Sequence, residues 1–152
     1  MRTIIIIISI IILYSILKKL LKILSKNIEN CDNIHIACLY GDLFKIKKLL
    51  ASGININSKD FNDKTPLMYA AEDGSIDTIK YLIINGANIN DIDNKGDNAL
   101  IIALKNNNIK ASKFLIENGA DFYIKNLDNK NALNIARDIN ANEIVNFIQS
   151  NK

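Results

Sequence analysis

His35 is the sole histidine of the 152-residue chain, and Cys31 and Cys38 are its only cysteines. A general base or nucleophile needs a second side chain within hydrogen-bond reach, and a structural zinc site needs four N or S ligands at paired spacing. Neither set can be assembled from these three residues. Asp91-Ile92-Asp93-Asn94-Lys95-Gly96 has the form of half a calcium loop. Lys95 stands at a ligand position and Ile102 where the closing glutamate belongs, so that reading fails. No phosphate-cradling glycine loop, CxxC or GxSxG occurs. The expectation is therefore a protein with no catalytic, cofactor-binding or metal residues, and no enzyme.

What the spacing does carry is repetition. Gly53, Gly86 and Gly119 recur every 33 residues, as do Ala37, Ala70, Ala103 and Ala136. Pro66 is followed at the same step by Ala99 and Ala132. A period of this length, held by glycines and small residues, marks stacked supersecondary units, each too thin to bury its own apolar face. Each column has a mechanical reason. Pro66 presets φ for a first helical turn, and Thr65, Asn98 or Asn131 before that turn can cap the exposed amides. The alanines let helices approach closely. The glycines follow the second helix of each unit, where a left-handed residue ends it cheaply. In the second unit Ile79, Leu82 and Ile83 form one apolar face, with Asp77 and Lys80 off it.

The order of turn, short helix, glycine turn, second helix and hairpin resembles the ankyrin repeat. Its T-P-L-H-x-A signature is matched by Thr65-Pro66-Leu67-Met68-Tyr69-Ala70; Met68 departs from the histidine, which appears one unit earlier as His35. Units at about 31–59, 60–92, 93–125 and 126–150 make one repeat domain over 31–150, after a leader and linker over 1–30. The expected fold is all-α, an ankyrin-repeat solenoid of stacked helix-turn-helix units with short hairpin-like loops, preceded by an N-terminal hydrophobic helix. The last unit carries Arg137, Asp138, Asn142 and Gln149, which suit a solvent-facing end layer.

The resemblance implies where a protein partner would sit, on a concave surface of hairpin tips and first helices. In this sequence the tips give Phe61, Asn62, Lys64, Asn94, Lys95, Asp97, Leu127, Asp128 and Lys130. The first helices give Leu39, Tyr40, Glu72, Asp73, Lys105 and Asn106. Tyr40 and Phe61 are the expected anchors, because aromatic residues in exposed columns carry binding energy well. His35 falls where its side chain would knit one turn to the next by hydrogen bonds.

Charge argues against nucleic acid. The net +3 divides into +4 over residues 1–29 and −1 over the rest, so the repeat domain has no basic excess. Ile, Asn and Lys number 31, 23 and 17, a bias that makes lysine abundance alone uninformative.

The leader runs uncharged from Ile4 to Leu17 after Met1-Arg2-Thr3 and continues as Lys18-Lys19-Leu20-Leu21-Lys22-Ile23-Leu24. Fourteen uncharged, mostly apolar residues suit a signal-peptide core, but no small-residue cleavage site follows, and snorkelling lysines extend the helix to about 21 residues. Ile28-Glu29-Asn30-Cys31 lacks the small residues of a lipoprotein site. An uncleaved membrane anchor is the expectation, and the lysines after it place the repeats in the cytoplasm. An exported module, secreted or periplasmic after cleavage, and an accessory subunit of an enzyme stand as alternatives.

Overall fold

The computed structural model describes residues 34–150 together with residues 16, 17 and 20. Helical residues 34–39 form α1. The helices that follow are α2 (Leu43–Ala51), α3 (Pro66–Asp73), α4 (Ile76–Ile84), α5 (Ala99–Lys105), α6 (Ile109–Glu117), α7 (Ala132–Asp138) and α8 (Asn142–Ser150). No strand occurs among the described residues.

The caps explain the boundaries. Thr65, Asn98 and Asn131 precede the first helices α3, α5 and α7. Each accepts a backbone N–H three residues on, from Met68, Ile101 and Asn134, at 3.4, 2.9 and 3.0 Å. Asn134 returns the bond to the Asn131 amide at 3.1 Å, closing a reciprocal box. At the other end of the second helices, Gly53, Gly86 and Gly119 take φ of 90°, 91° and 93°. A Cβ there would meet nothing within 4 Å, so the backbone angle, not space, selects glycine. The amides of Ala87 and Ala120 then reach back to the carbonyls of Leu82 and Leu115, at 3.0 and 2.9 Å.

Stacking supplies the core. The first helices α3, α5 and α7 pack in one row and the second helices α4, α6 and α8 in another, with contact more extensive in the first row. The first-helix side is therefore the tighter, inner flank. Ala37, Ala70, Ala103 and Ala136 are all buried, as close approach demands, and Ile46, Leu67, Ile79, Leu82, Leu100 and Leu115 lie at 0–1% exposure between layers. Arg137, Asp138, Asn142 and Gln149 are exposed on the last layer.

The leader lies outside the described residues except at positions 16, 17 and 20. Those three are helical and about half exposed. Among the described residues no helix is long and apolar enough to cross a membrane.

Candidate partner-binding surface

Three hairpin tips project beside the first helices, and one side chain builds each of them. Asp60, Asp93 and Asn126 stand 33 residues apart. The Oδ1 of each accepts two amides of its own turn: Asn62 and Lys64 at 2.8 and 2.8 Å, Lys95 and Asp97 at 2.8 and 2.9 Å, Asp128 and Lys130 at 3.1 and 3.0 Å. The tips are then tied in series. The Asn94 amide donates to the Asn62 carbonyl at 3.0 Å, and the Leu127 amide to the Lys95 carbonyl at 2.9 Å.

Behind the tips, asparagines staple layer to layer. Asn57 accepts the Asn88 amide at 2.8 Å and donates to the Gly86 carbonyl at 3.3 Å. Asn90 repeats this one unit later with Asp121 and Gly119, at 2.8 and 3.2 Å. Asn108 donates to the carbonyls of Ala71 and Glu72 at the end of α3, at 3.1 and 2.8 Å. Sequence reasoning passed over the roles of these three asparagines; Asn57 and Asn90 stand 33 residues apart, but Asn108 has Ser75 and Ala141 at that step.

The expected contact residues divide into exposed and engaged. Phe61 is 90% exposed, Leu127 80% and Tyr40 77%, so the apolar members stand free of the core. Asp73, Asn94, Lys95, Lys105, Asn106, Asp128 and Lys130 are also exposed, while Leu39, Asn62, Lys64 and Glu72 are half-buried. Asp97 departs from the expectation. It is 3% exposed, because its carboxylate is gripped by Lys105 and accepts the Asn126 side-chain amide at 2.8 Å. It holds two tips and a first helix together instead of facing a partner.

That grip belongs to a pattern. Lys64 pairs with Glu72 at 2.8 Å, Asp97 with Lys105, and Lys130 with Asp138 at 2.6 Å. In each unit the tip residue meets the first-helix residue eight positions on, and the polarity is reversed in the middle unit. Opposite charges therefore alternate down both columns. The bond to Asp138, then the charge of Asp138 itself, raises the affinity of Lys130 for its proton.

His35 is buried, and its Nε2 lies 3.1 Å from the Ser58 carbonyl, across from its own helix to the loop that leads into the next unit. A carbonyl only accepts, so Nε2 carries the proton. The ring stands 5.3 Å from that of Tyr69, whose hydroxyl donates to Asp60 at 2.8 Å. This chain fastens turn to turn, as expected of His35. No group of three metal-ligating side chains gathers among the described residues. Asp93, the centre of the calcium-like stretch, spends its Oδ1 on two backbone amides.

In-phase helix pairs, stapled at their hairpins and presenting apolar side chains from the tips, define a stacked-repeat protein. The chain belongs to the ankyrin-repeat family: the family model described as ankyrin repeats (3 copies) matches residues 11–93 and 34–126. Such repeats are generally protein–protein interaction modules and are typically non-catalytic. No curated protein matches the chain.

Proposed function

We propose that the chain is a non-catalytic adaptor whose repeat domain, residues 31–150, grips a protein partner in the flank between hairpin tips and first helices. In this reading the leader in residues 1–30 tethers the domain to a membrane with the repeats in the cytoplasm. The observation that carries the grip is the exposure of Phe61 and Leu127, 90% and 80%, in one column on the first and third of three successive tips. Neither side chain has a packing role, and large apolar groups on a rigid frame are the usual anchors of an interface. The tether is supported by the uncharged run from Ile4 to Leu17 and the lysines after it.

Affinity capture with the full chain, followed by identification of the bound protein, tests the grip. Phe61→Ala with Tyr40→Ala should abolish capture and leave the helical circular dichroism unchanged; intact capture would move the interface elsewhere. Carbonate extraction tests the tether, since an anchored chain stays full length in the pellet. A soluble, shortened product would instead indicate export.

A further inference from the structure

Between the second and third units the inner flank holds a cleft of about 130 Å³, lined by Lys64, Glu72, Asp93, Lys95, Asp97 and Lys105 over the side chain of Ile102. Three lysines and three acids cancel on paper. They do not cancel at the surface: Lys64 and Glu72 pair with each other at similar exposure, 23% and 33%, but the other two acids are sunk and the other two lysines are not. Asp93 is 5% exposed and satisfied by its own turn; Asp97 is 3% exposed and held by Lys105 and Asn126. The side chain of Lys105 is still 38% exposed, Lys95 is exposed with no ion pair among the described residues, and only Glu72 offers a partly open carboxylate. A charge approaching the third-unit side of the cleft meets the ammonium groups of Lys95 and Lys105 first.

We infer that this cleft receives a carboxylate side chain of the partner, and that the docking segment is an extended peptide with an acidic residue flanked by apolar residues. The inference rests on the proposed use of this flank for binding and adds the chemistry of what is bound. The row above the cleft reads Phe61, Asn94, Leu127 across three successive tips: apolar, polar, apolar. The column beside it reads Asn62, Lys95, Asp128, so within that column the one cation lies at the middle tip and an anion lies one unit on; Lys64 and Lys130 of the outer tips are paired with Glu72 and Asp138. An acid is attracted at the centre and repelled at Asp128, which fixes its place along the row. Stacked helices lie about 8–10 Å apart and an extended chain advances about 3.3 Å per residue, so each apolar residue belongs about three positions from the acid.

A phage-displayed random peptide library, selected on the full chain in detergent, tests this. The recovered peptides should share an Asp or Glu with apolar residues on both sides at about that spacing. They should bind Lys95→Glu about tenfold more weakly, with the gap narrowing as salt rises. Replacing the peptide's acid by lysine should restore binding to Lys95→Glu and lower it for the native chain. Lys95 makes no ion pair among the described residues and is exposed, so the variant keeps its fold, which circular dichroism checks. Peptides without an acid, or acidic peptides indifferent to Lys95→Glu, overturn the inference. If they remain sensitive to Phe61→Ala, the flank still binds and only the carboxylate is lost. Indifference to both variants, or a library that yields no binder, overturns the inference and the proposed grip together.

Discussion

The two ends of the stack are finished differently. In α1, Ile36 is 47% exposed, whereas Ile102 and Ile135, in the same column of α5 and α7, are each 4% exposed. Ile135 lies in the last described layer, so the cover for this column comes from the layer before. The opposite face shows the converse. Ile34, Leu67 and Leu100 are 0–1% exposed, but Leu133 of the last layer is only half-buried. There the surrounding columns turn polar: Met68 and Ile101 give way to Asn134, Ala71 and Leu104 to Arg137, Ile83 and Ile116 to Gln149. A repeat stack must close its last face with polar groups or leave apolar surface in water. The C-terminal face is written to be an end; the face at α1 is not.

The sharpest way to break that contrast is to truncate one column at both ends. Ile135→Ala empties a covered site and should cost about 2–4 kcal/mol. Ile36→Ala removes surface that is already half in water and should cost under about 1 kcal/mol. Urea unfolding of the two variants measures both, and equal losses would mean that α1 is covered as well as α7.

A smaller difference is expected at the hairpin staples. Asn90→Ala frees the Asp121 amide and the Gly119 carbonyl, and should cost about 1 kcal/mol. The same column reaches Tyr123 in the last hairpin, which is 58% exposed and lies against Phe122 with ring centroids 4.5 Å apart. Tyr123→Asn has no following hairpin to staple among the described residues and should stay within about 0.5 kcal/mol of the parent. A stabilising Tyr123→Asn would show that the last layer is not the end it looks to be.

These residues also show what the sequence could and could not say. The glycine and alanine columns and the caps Thr65, Asn98 and Asn131 follow from local rules and were legible, and the role of His35 came with the resemblance to the ankyrin repeat. Asn57, Asn90 and Asn108 were not, because a chain with 23 asparagines hides the few that bridge layers. Asp97 was misplaced for another reason. Its column mates Lys64 and Lys130 stand partly or fully in water, and only the fold shows that the exchange of polarity in the middle unit buries its acid beneath Lys105 and Asn126.

Local opening gives a finer reading of the two ends. Burial alone pushes the Cys38 thiol from 9.0 up to about 12, so in the folded state it stays protonated and unreactive at neutral pH. A thiol raised in this way contributes stability below about pH 9 that is lost as pH climbs toward 12. In a Cys31→Ser background, labelling of Cys38 reports opening of the first layer. It should run faster than global unfolding, because among the described residues α1 leaves Ile36 47% exposed. Labelling no faster than global unfolding would place the first layer in the same cooperative unit as the rest.

The smallest effect separates the first tip from the last in acid. Burial acts to raise the Asp60 carboxyl, but the Tyr69 hydroxyl, the amides of Lys64 and Asn62, and nearby His35 outweigh it and hold it below the ordinary 3.8. Its contribution is present above that ordinary value and is lost as pH falls through the lower, folded one. Asn126 does the same mechanical work in the last tip and has no proton to gain. Below about pH 4 the Asn62 and Lys64 amides should therefore lose protection from hydrogen exchange before those of Asp128 and Lys130. Asp60→Asn keeps an acceptor for both amides and removes the titration, so it should abolish the lag between the tips at a cost of less than about 1 kcal/mol at neutral pH. If the two tips loosen together in the parent chain, the carboxylate is not what distinguishes them, and the acid sensitivity of the stack must arise at its ion pairs.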